Sequence, residues 1–503
     1  ARRQRQMCIR DRYNKIEVIE LSENKDKSNN NLKREFPFFL SLIPFIVMVG
    51  LMYIAVTIFE TDPHIPLIMG TVTASLIAFL YGKYDWEDVE DMMFKGIRLA
   101  LPALVIILLI GLVIGSWIGG GIVATMIYYG LMLINPTYFL ITISAICALT
   151  ALAIGSSWST MATIGVAGMG IGVSMGINPG IVAGAIISGS YFGDKLSPLS
   201  DTTNLASGLT NTDLFEHIKH MLFTTIPSFI IAMIAFTIIG FNVGDTSKSS
   251  QEDVQAMMAS MQEHFIISPW LLLIPVIVVV AIMFKLAAFP ALSLGVILGF
   301  LCHIFVQSGD VSVAFDTLTN GYSIESKNDM VNELFNRGGL HDMMYTISMT
   351  IVAMTFAGVM EFTGMLQSIM NKILFIAKGT FGLIAATLAS AFTVNATCSE
   401  QYISIVVPSR MFLKTFIDRN LHSKNLSRTL EDGGTMTSVF IPWNTCGVFI
   451  LATLGVPAWE YGMYAILNFT SPLIALLLAA TGIGITKITD QEKEEFTAQY
   501  LKD

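Results

Sequence analysis

GSYFGDKLSPLSDTTNLASG, residues 189–208, follows a long hydrophobic stretch, yet it sets Asp194, Lys195 and Asp201 around Pro198. Whether that polar insertion lies in water or at membrane depth decides how the chain is read. Of its 503 residues, 53% are hydrophobic and only 13% charged, far from the balance of an ordinary soluble protein. Apolar runs recur from FPFFLSLIPFIVMVGLMYIAVTIF (36–59) to AILNFTSPLIALLLAATGIGI (465–485), long enough to cross ~30 Å of hydrocarbon as helices. They are continuous rather than alternating, which excludes the strands of a membrane barrel. The sequence therefore specifies an all-α polytopic membrane protein, with the opening stretch at the end of one of its apolar segments.

Around that stretch the chain divides into a polar N-terminal tail (1–35), a first transmembrane repeat (36–242), a polar loop (243–264), a second repeat (265–485) and an acidic cytoplasmic tail (486–503). Residues 1–12, ARRQRQMCIRDR, resemble translated sequencing-adapter read-through and carry no apolar signal-peptide core, so functional reading starts after them. Residues 13–35 read as a disordered cytoplasmic tail. The net charge of −9 lies mainly in loops and tail, and no basic cluster points to nucleic acid. The five cysteines lack metal or redox spacing, and Cys147, Cys302, Cys398 and Cys446 read as packing thiols. No cofactor is expected.

Sliding the chain against itself brings Gly120 onto Gly364, Trp117 onto Glu361, Trp158 onto Tyr402, Gly189 onto Gly433, Pro198 onto Pro442 and Glu216 onto Glu460, all at one offset of 244 residues. Lys and Arg concentrate in cytoplasmic loops. Residues 410–428 hold Arg410, Lys414, Arg419, Lys424 and Arg428, whereas the matching stretch 166–182 has no charge, so the two loops are expected on opposite sides. Inverted repeats with discontinuous helices point to a secondary transporter, whose substrate site forms near the midplane.

Four segments interrupt apolar helices and form two repeat-related pairs: AIGSSWSTMATIG (153–165) with NATCSEQYIS (395–404), and the opening stretch with EDGGTMTSVFIPWNTCG (431–447). Unwound backbone at membrane depth is tolerated only where protein buries it or it lines a cavity. In the first pair, Ser156, Ser157, Ser159 and Thr160 offer the hard oxygens a small alkali cation requires, with Trp158 as a wall; close helix packing is the competing reading. Asp194 and Asp201 are costly there unless paired, hydrated or protonated. Pro198 opens the helix between them, with Ser197, Ser200, Thr202, Thr203 and Asn204 supplying nearby oxygens. Lys195 is expected to balance Asp194, leaving Asp201 as the better ion or proton carrier.

In the second half Glu400 stands where Ser156 stands in the first, among Asn395, Thr397, Ser399 and Gln401, as a second titratable group. Asn444 and Thr445, beside Pro442, are neutral counterparts of the aspartate-bearing break. Glu431 and Asp432 are expected to partner Arg428 at the membrane interface, and Glu361 to reach an interface as a helix-end acid. His217 and His220, at i and i+3, suit pH sensing better than metal binding.

GDKLSPLSDTTNLA, SSWST, TMIYYG (125–130) and FIPWNTCG (440–447) together resemble the NhaC-type Na+/H+ antiporter family, over essentially residues 36–485. That resemblance implies a multi-pass inner-membrane exchanger of Na+ and H+ with both termini cytoplasmic, and a homo-oligomer is compatible with it. It further implies a scaffold and a mobile transport unit, with SSWST and TCSEQ at re-entrant hairpin tips and the Pro-containing breaks as unwound helices. Na+ is expected at Asp201 and Asp194. The alternative is a relative that couples Na+ and H+ to malate and lactate. A channel is disfavoured by the lack of a repeated filter, and a hydrolase by the lack of a Ser/His pair in the breaks.

Overall fold

The computed structural model describes residues 35–500, apart from 60, 134, 135, 247–250, 285 and 328. The expectations for the N-terminal tail and Cys8 fall outside the described residues. The architecture is helical, with one isolated antiparallel bridge between Leu421 and Lys487. Among the described residues six helices are long and apolar enough to cross a membrane, or eight if each of two bent pairs is one span. The chain is a multi-pass integral membrane protein.

The elements that position the site are α1 (Phe38–Thr57), α2 (His64–Leu80), α3 (Trp86–Gly119), α4 (Pro136–Ile154) and α5 (Ser157–Thr160), which continues through a π-helical turn, Met161–Gly165, into Val166–Ser174. Then follow α6 (Pro179–Leu196), α7 (Asp201–Leu209) and α8 (Leu214–Thr246). The second half contributes α9 (Met344–Phe362), α10 (Gly379–Cys398), α11 (Gln401–Asp418), α12 (Ser423–Leu430), α13 (Thr445–Leu454) and α14 (Ile466–Thr481). A second π turn, Glu431–Thr435, follows α12, and the chain bends by 49° before α13.

Helix ends recur at the sequence offset of 244. Gly155 and Ser399 take left-handed backbone (φ 76° and 55°), as do Gly176 and Asn420 (74° and 59°) and Asn211 and Gly455 (50° and 75°). Such residues end helices because the reversed φ turns the chain out of the α path. The new helices also start in register. Ser156 and Glu400, Asn178 and His422, and Ser200 and Asn444 each cap the next helix through their own side chain.

The expected polar loop 243–264 carries α8 through Thr246 and a separate helix, Gln251–His264. Met257 and Met261, one turn apart, are buried there, giving that helix an inward face despite its polar composition. The C-terminal segment packs beside the basic loop: Ile488 N donates to Asn420 O (3.1 Å) and His422 N to Thr486 O (3.0 Å).

α6 lies almost backbone to backbone on α4. A Cβ built on Gly193 would stand 2.1 Å from the Ala148 carbonyl oxygen, and one on Gly189 would stand 2.1 Å from that of Ser144. Small residues of this kind let membrane helices approach closely. Across the halves, Lys195 of α6 forms an ion pair with Asp432, both side chains fully buried. Asp432 Oδ1 also accepts from Thr224 Oγ1 (3.0 Å) and Ser471 Oγ (2.7 Å), so four segments meet on one carboxylate. Two expectations are corrected here. Lys195 does not pair with Asp194, because adjacent side chains on a helix diverge, and the ion pair of Asp432 is with Lys195, which reaches it from the other half, while Arg428, one turn away, acts on it only electrostatically.

Gly193→Ala should lower the thermal transition of the detergent-solubilised protein, since α4 and α6 must separate. Lys195→Met alone should destabilise by about 3–5 kcal/mol by leaving Asp432 uncompensated. Lys195→Met with Asp432→Asn should recover most of that loss, because the amide still accepts from Thr224 and Ser471; no recovery in thermal unfolding would show that the pair is not electrostatic in origin.

Candidate functional site

The SSWST segment forms because Gly155 turns the chain out of α4 and Ser156 restarts it, its Oγ accepting from Ser159 N at 3.2 Å. Thr160 Oγ1 closes the same turn on Ser156 O (2.9 Å). The new helix aims its first N–H groups at α6. Ser157 donates twice to Asp194 Oδ2, from N at 3.0 Å and from Oγ at 2.7 Å. A helix N-terminus concentrates unpaired donors and favours negative charge, which is how a buried carboxylate is accommodated in this position. Trp158 stacks on Phe449 of α13 with centroids 4.1 Å apart, so the tip is walled by the opposite half.

Below Asp194 the backbone stays extended at Ser197 and Ser200 and resumes as α7 at Asp201. Several oxygens read from the sequence as ligands serve this break itself. Asn204 Nδ2 donates to the carbonyls of Pro198 (2.9 Å) and Ser200 (2.7 Å), Thr203 Oγ1 to that of Lys195 (3.0 Å), and Ser197 Oγ accepts from Leu199 N (3.2 Å). Thr202 and Ser200 share a hydroxyl contact of 3.2 Å. The bonds of Asn204, Thr203 and Ser197 thus go to backbone groups at and beside the break, where Pro198 interrupts the helix ladder. Asp201 is exposed in the first turn of α7 and acts electrostatically on Asp194 without a hydrogen bond to it. The tip crosses the break directly, since a Cβ on Gly155 would meet Leu199 Cβ at 2.6 Å and Ser200 N at 2.9 Å.

The second half repeats this crossing with other chemistry. Glu400 caps α11, its Oε2 accepting from Ile403 N at 3.0 Å, the position-for-position counterpart of Ser156 and Ser159. Ser399 O accepts from Thr445 N (2.9 Å), Asn444 Nδ2 donates to Asn395 O (3.1 Å), and Cys446 Sγ donates to Gln401 Oε1 (2.8 Å), tying tip to break around Pro442. Asn395 Nδ2 reaches Gly434 O at 2.7 Å, while Thr397 Oγ1 bonds within its own helix to Thr393 O at 2.8 Å. The Ser399 and Thr445 hydroxyls are buried with no hydrogen-bond partner, two oxygens free to meet a ligand.

The two halves converge. Tyr402, the counterpart of Trp158, lies within electrostatic reach of Asp201, Glu400 and Asp194, and Glu361 within reach of Glu400. Asp201 and Tyr402 are exposed, whereas Asp194 and Glu400 are buried, so acidic groups descend from an accessible edge into the protein. Glu431, Asp432 and Arg428 are all fully buried rather than exposed at a surface. The signal missed was Lys195 itself, a cation inside an apolar helix that requires an acid from elsewhere. His217 and His220 bond to separate groups, Ser427 Oγ (2.8 Å) and Gly484 O (2.9 Å). Among the described residues no group of three or more His, Cys, Asp and Glu side chains is placed to hold a metal. The arrangement suits a weakly held monovalent cation that competes with protons for carboxylates and meets hydroxyl and carbonyl oxygens.

Comparison with known proteins agrees with this chemistry. The profile of the Na+/H+ antiporter family matches residues 189–483, and that of the C4-dicarboxylate anaerobic carriers matches residues 4–242. The chain is 39% identical to the Na+/H+ antiporter NhaC of Alkalihalophilus pseudofirmus over 88% of its own length and 95% of that protein. It is 35% identical to NhaC of Bacillus subtilis, over 89% of this chain and 98% of the relative. With the malate-2H+/Na+-lactate antiporter of Bacillus subtilis it shares 34% identity over 88% of this chain and 95% of that one. On the extent of these likenesses, and on a family match that spans both the Asp194–Asp201 break and the whole second half of the site, the chain belongs to the NhaC-type Na+/H+ antiporter family.

Proposed function

We propose that this protein exchanges Na+ for H+ across the membrane by alternating access, with Asp201 and Asp194 binding either cation or proton. The observation that carries the reading is the placement of the two carboxylates around one helix break, Asp194 held by the start of α5 and Asp201 accessible at the start of α7. Competition supplies the coupling. A proton on the carboxylates removes the charge that holds Na+, and bound Na+ favours the deprotonated form, so each ligand weakens the other.

The backbone register between halves, together with the charge asymmetry of the matching loops, supports an inverted repeat with re-entrant tips at Gly155–Ser156 and Ser399–Glu400. Movement of the tips and breaks against the remaining helices would then alternate access, as the family resemblance implies. An inner-membrane location with the basic loop on the cytoplasmic side fits the same charge rule. Residues 486 and 488 are bonded to His422 and Asn420 of that loop, which supports the same side for this segment.

Exchange of organic acids is the second reading, favoured by the likeness to a malate/lactate antiporter and by the unpartnered Ser399 and Thr445 hydroxyls. Against it, among the described residues the guanidinium bonds go elsewhere than to the tips: Arg428 donates Nη1 to Gly484 O (3.0 Å), Arg337 Nη2 to Thr453 O (3.1 Å) and Arg419 to the carbonyls of Gly379 and Ala377. In proteoliposomes, Asp201→Asn should reduce Na+-driven proton movement to the level of protein-free vesicles while the protein still elutes as a folded species. Undiminished exchange by that variant would sink the assignment of Asp201. Malate or lactate movement under a Na+ gradient in the wild type would favour the second reading.

A further inference from the structure

Glu431 is the least explained charged residue in the molecule. It is fully buried in the π turn after α12, and neither carboxylate oxygen has a partner at hydrogen-bond geometry. The charged groups acting on it are Lys195 and Asp194 of α6 and Asp432 of its own turn. Lys195 is already committed to Asp432 and to Ser471 Oγ (3.0 Å). The Thr435 hydroxyl of the same turn acts on Glu431, but among the described residues no cation is bonded to it, so a buried charge there is costly to keep.

Its neighbours make a continuous file. On one side runs a stripe of α8, His217, His220 and Thr224, at helical spacing. On the other run Lys424, Arg428, Glu431 and Asp432, four residues apart or adjacent. Lys195 and His220 both act electrostatically on His217, and Arg428 and Lys424 on His220, and the two stripes face each other where His217 Nδ1 bonds Ser427 Oγ at 2.8 Å. The file ends at the pair of Lys424 with the exposed Glu216, 3.4 Å apart. Along it, His217 Nε2, His220 Nδ1, Arg428 Nε and Nη2, Glu431 Oε1 and Oε2, and Asp432 Oδ2 are all buried and unpartnered. Native interiors leave few such atoms dry, and a run of them on facing stripes is the setting in which internal waters bind and connect polar groups.

We propose that Glu431 is a second proton-carrying carboxylate of the exchanger and that this file is its hydrated route to the side where Lys424 and Glu216 lie. The inference rests on Na+/H+ exchange by the Asp194–Asp201 site. Glu431 takes up a proton by way of the Asp194–Asp201 site when that site faces the opposite side and releases Na+ there, and gives it up along the file when Na+ returns from the Lys424–Glu216 side, so each cycle moves one proton more across the membrane than the aspartates alone carry.

The test compares wild type, Glu431→Gln and Glu431→Asp in proteoliposomes, measuring protons moved per Na+, the pH profile of exchange and Na+/Na+ counterflow. Counterflow needs no proton and reports that a variant is folded and binds Na+. Glu431→Gln should keep counterflow within about twofold of wild type while the H+ to Na+ ratio falls by one and the pH profile changes shape. An unchanged ratio and profile in a variant competent for counterflow would overturn the inference. If the Gln variant shows no counterflow, Glu431→Asp decides: a displaced pH profile supports the proposal, and a wild-type profile overturns it. A wild type that moves no protons against Na+ would instead defeat the exchange reading itself.

Discussion

Backbone that leaves its helix inside hydrocarbon must find every hydrogen bond within the protein, because lipid offers none. That constraint organises this molecule. In each half a Gly or Ser with reversed φ ends one helix, a side-chain cap begins the next, and a Pro-containing break crosses behind the tip. The freed groups of one element become the partners of the other: Asn204 closes on Pro198 and Ser200, Thr445 on Ser399, and Asn444 on Asn395. Two helix starts are thereby brought to the centre with spare donors and oxygens around them, which is the raw material of an ion site.

The halves share this backbone plan and differ in charge. The first places Asp194 against the start of α5, whereas the second builds its own acid, Glu400, into the cap. Ser438 is the neutral counterpart of Asp194 and Ser156 that of Glu400, so each half carries its acid in a different one of its two breaks. The site that results mixes one half's break with the other half's tip, and Tyr402 lies within reach of acids from both. Lys195 and Asp432 tie the same two halves together one layer away, with the cation and the anion contributed by opposite halves. The same backbone plan thus carries different charge in its two halves.

Much of this was legible in the sequence, for physical reasons. Helix breaks declare themselves because Gly, Pro and clustered hydroxyls interrupt otherwise continuous apolar runs, and the constant offset in the sequence pairs Ser156 with Glu400 and Pro198 with Pro442. Long-range pairing was not legible. Lys195 stands beside Asp194 in the chain, and Arg428 stands one helical turn before Asp432, so local spacing suggests both pairs. The actual bond joins residues 237 positions apart, which no periodicity encodes. Local spacing also hid the division of labour among the hydroxyls. Thr203, Ser197 and Asn204 look like ligands in sequence and turn out to bond backbone groups at and beside the Pro198 break, whereas the unpartnered oxygens belong to Ser399 and Thr445.

The central claim is that Na+ and H+ compete for one set of carboxylates, and calorimetry on the purified protein in detergent tests it without any transport step. Na+ titrated at a series of pH values, in buffers of different ionisation enthalpy, reports both affinity and the protons released on binding. Competition predicts that Na+ binding expels protons and weakens steadily as the pH falls. Na+ binding of equal affinity at every pH, with no proton released, would contradict the account.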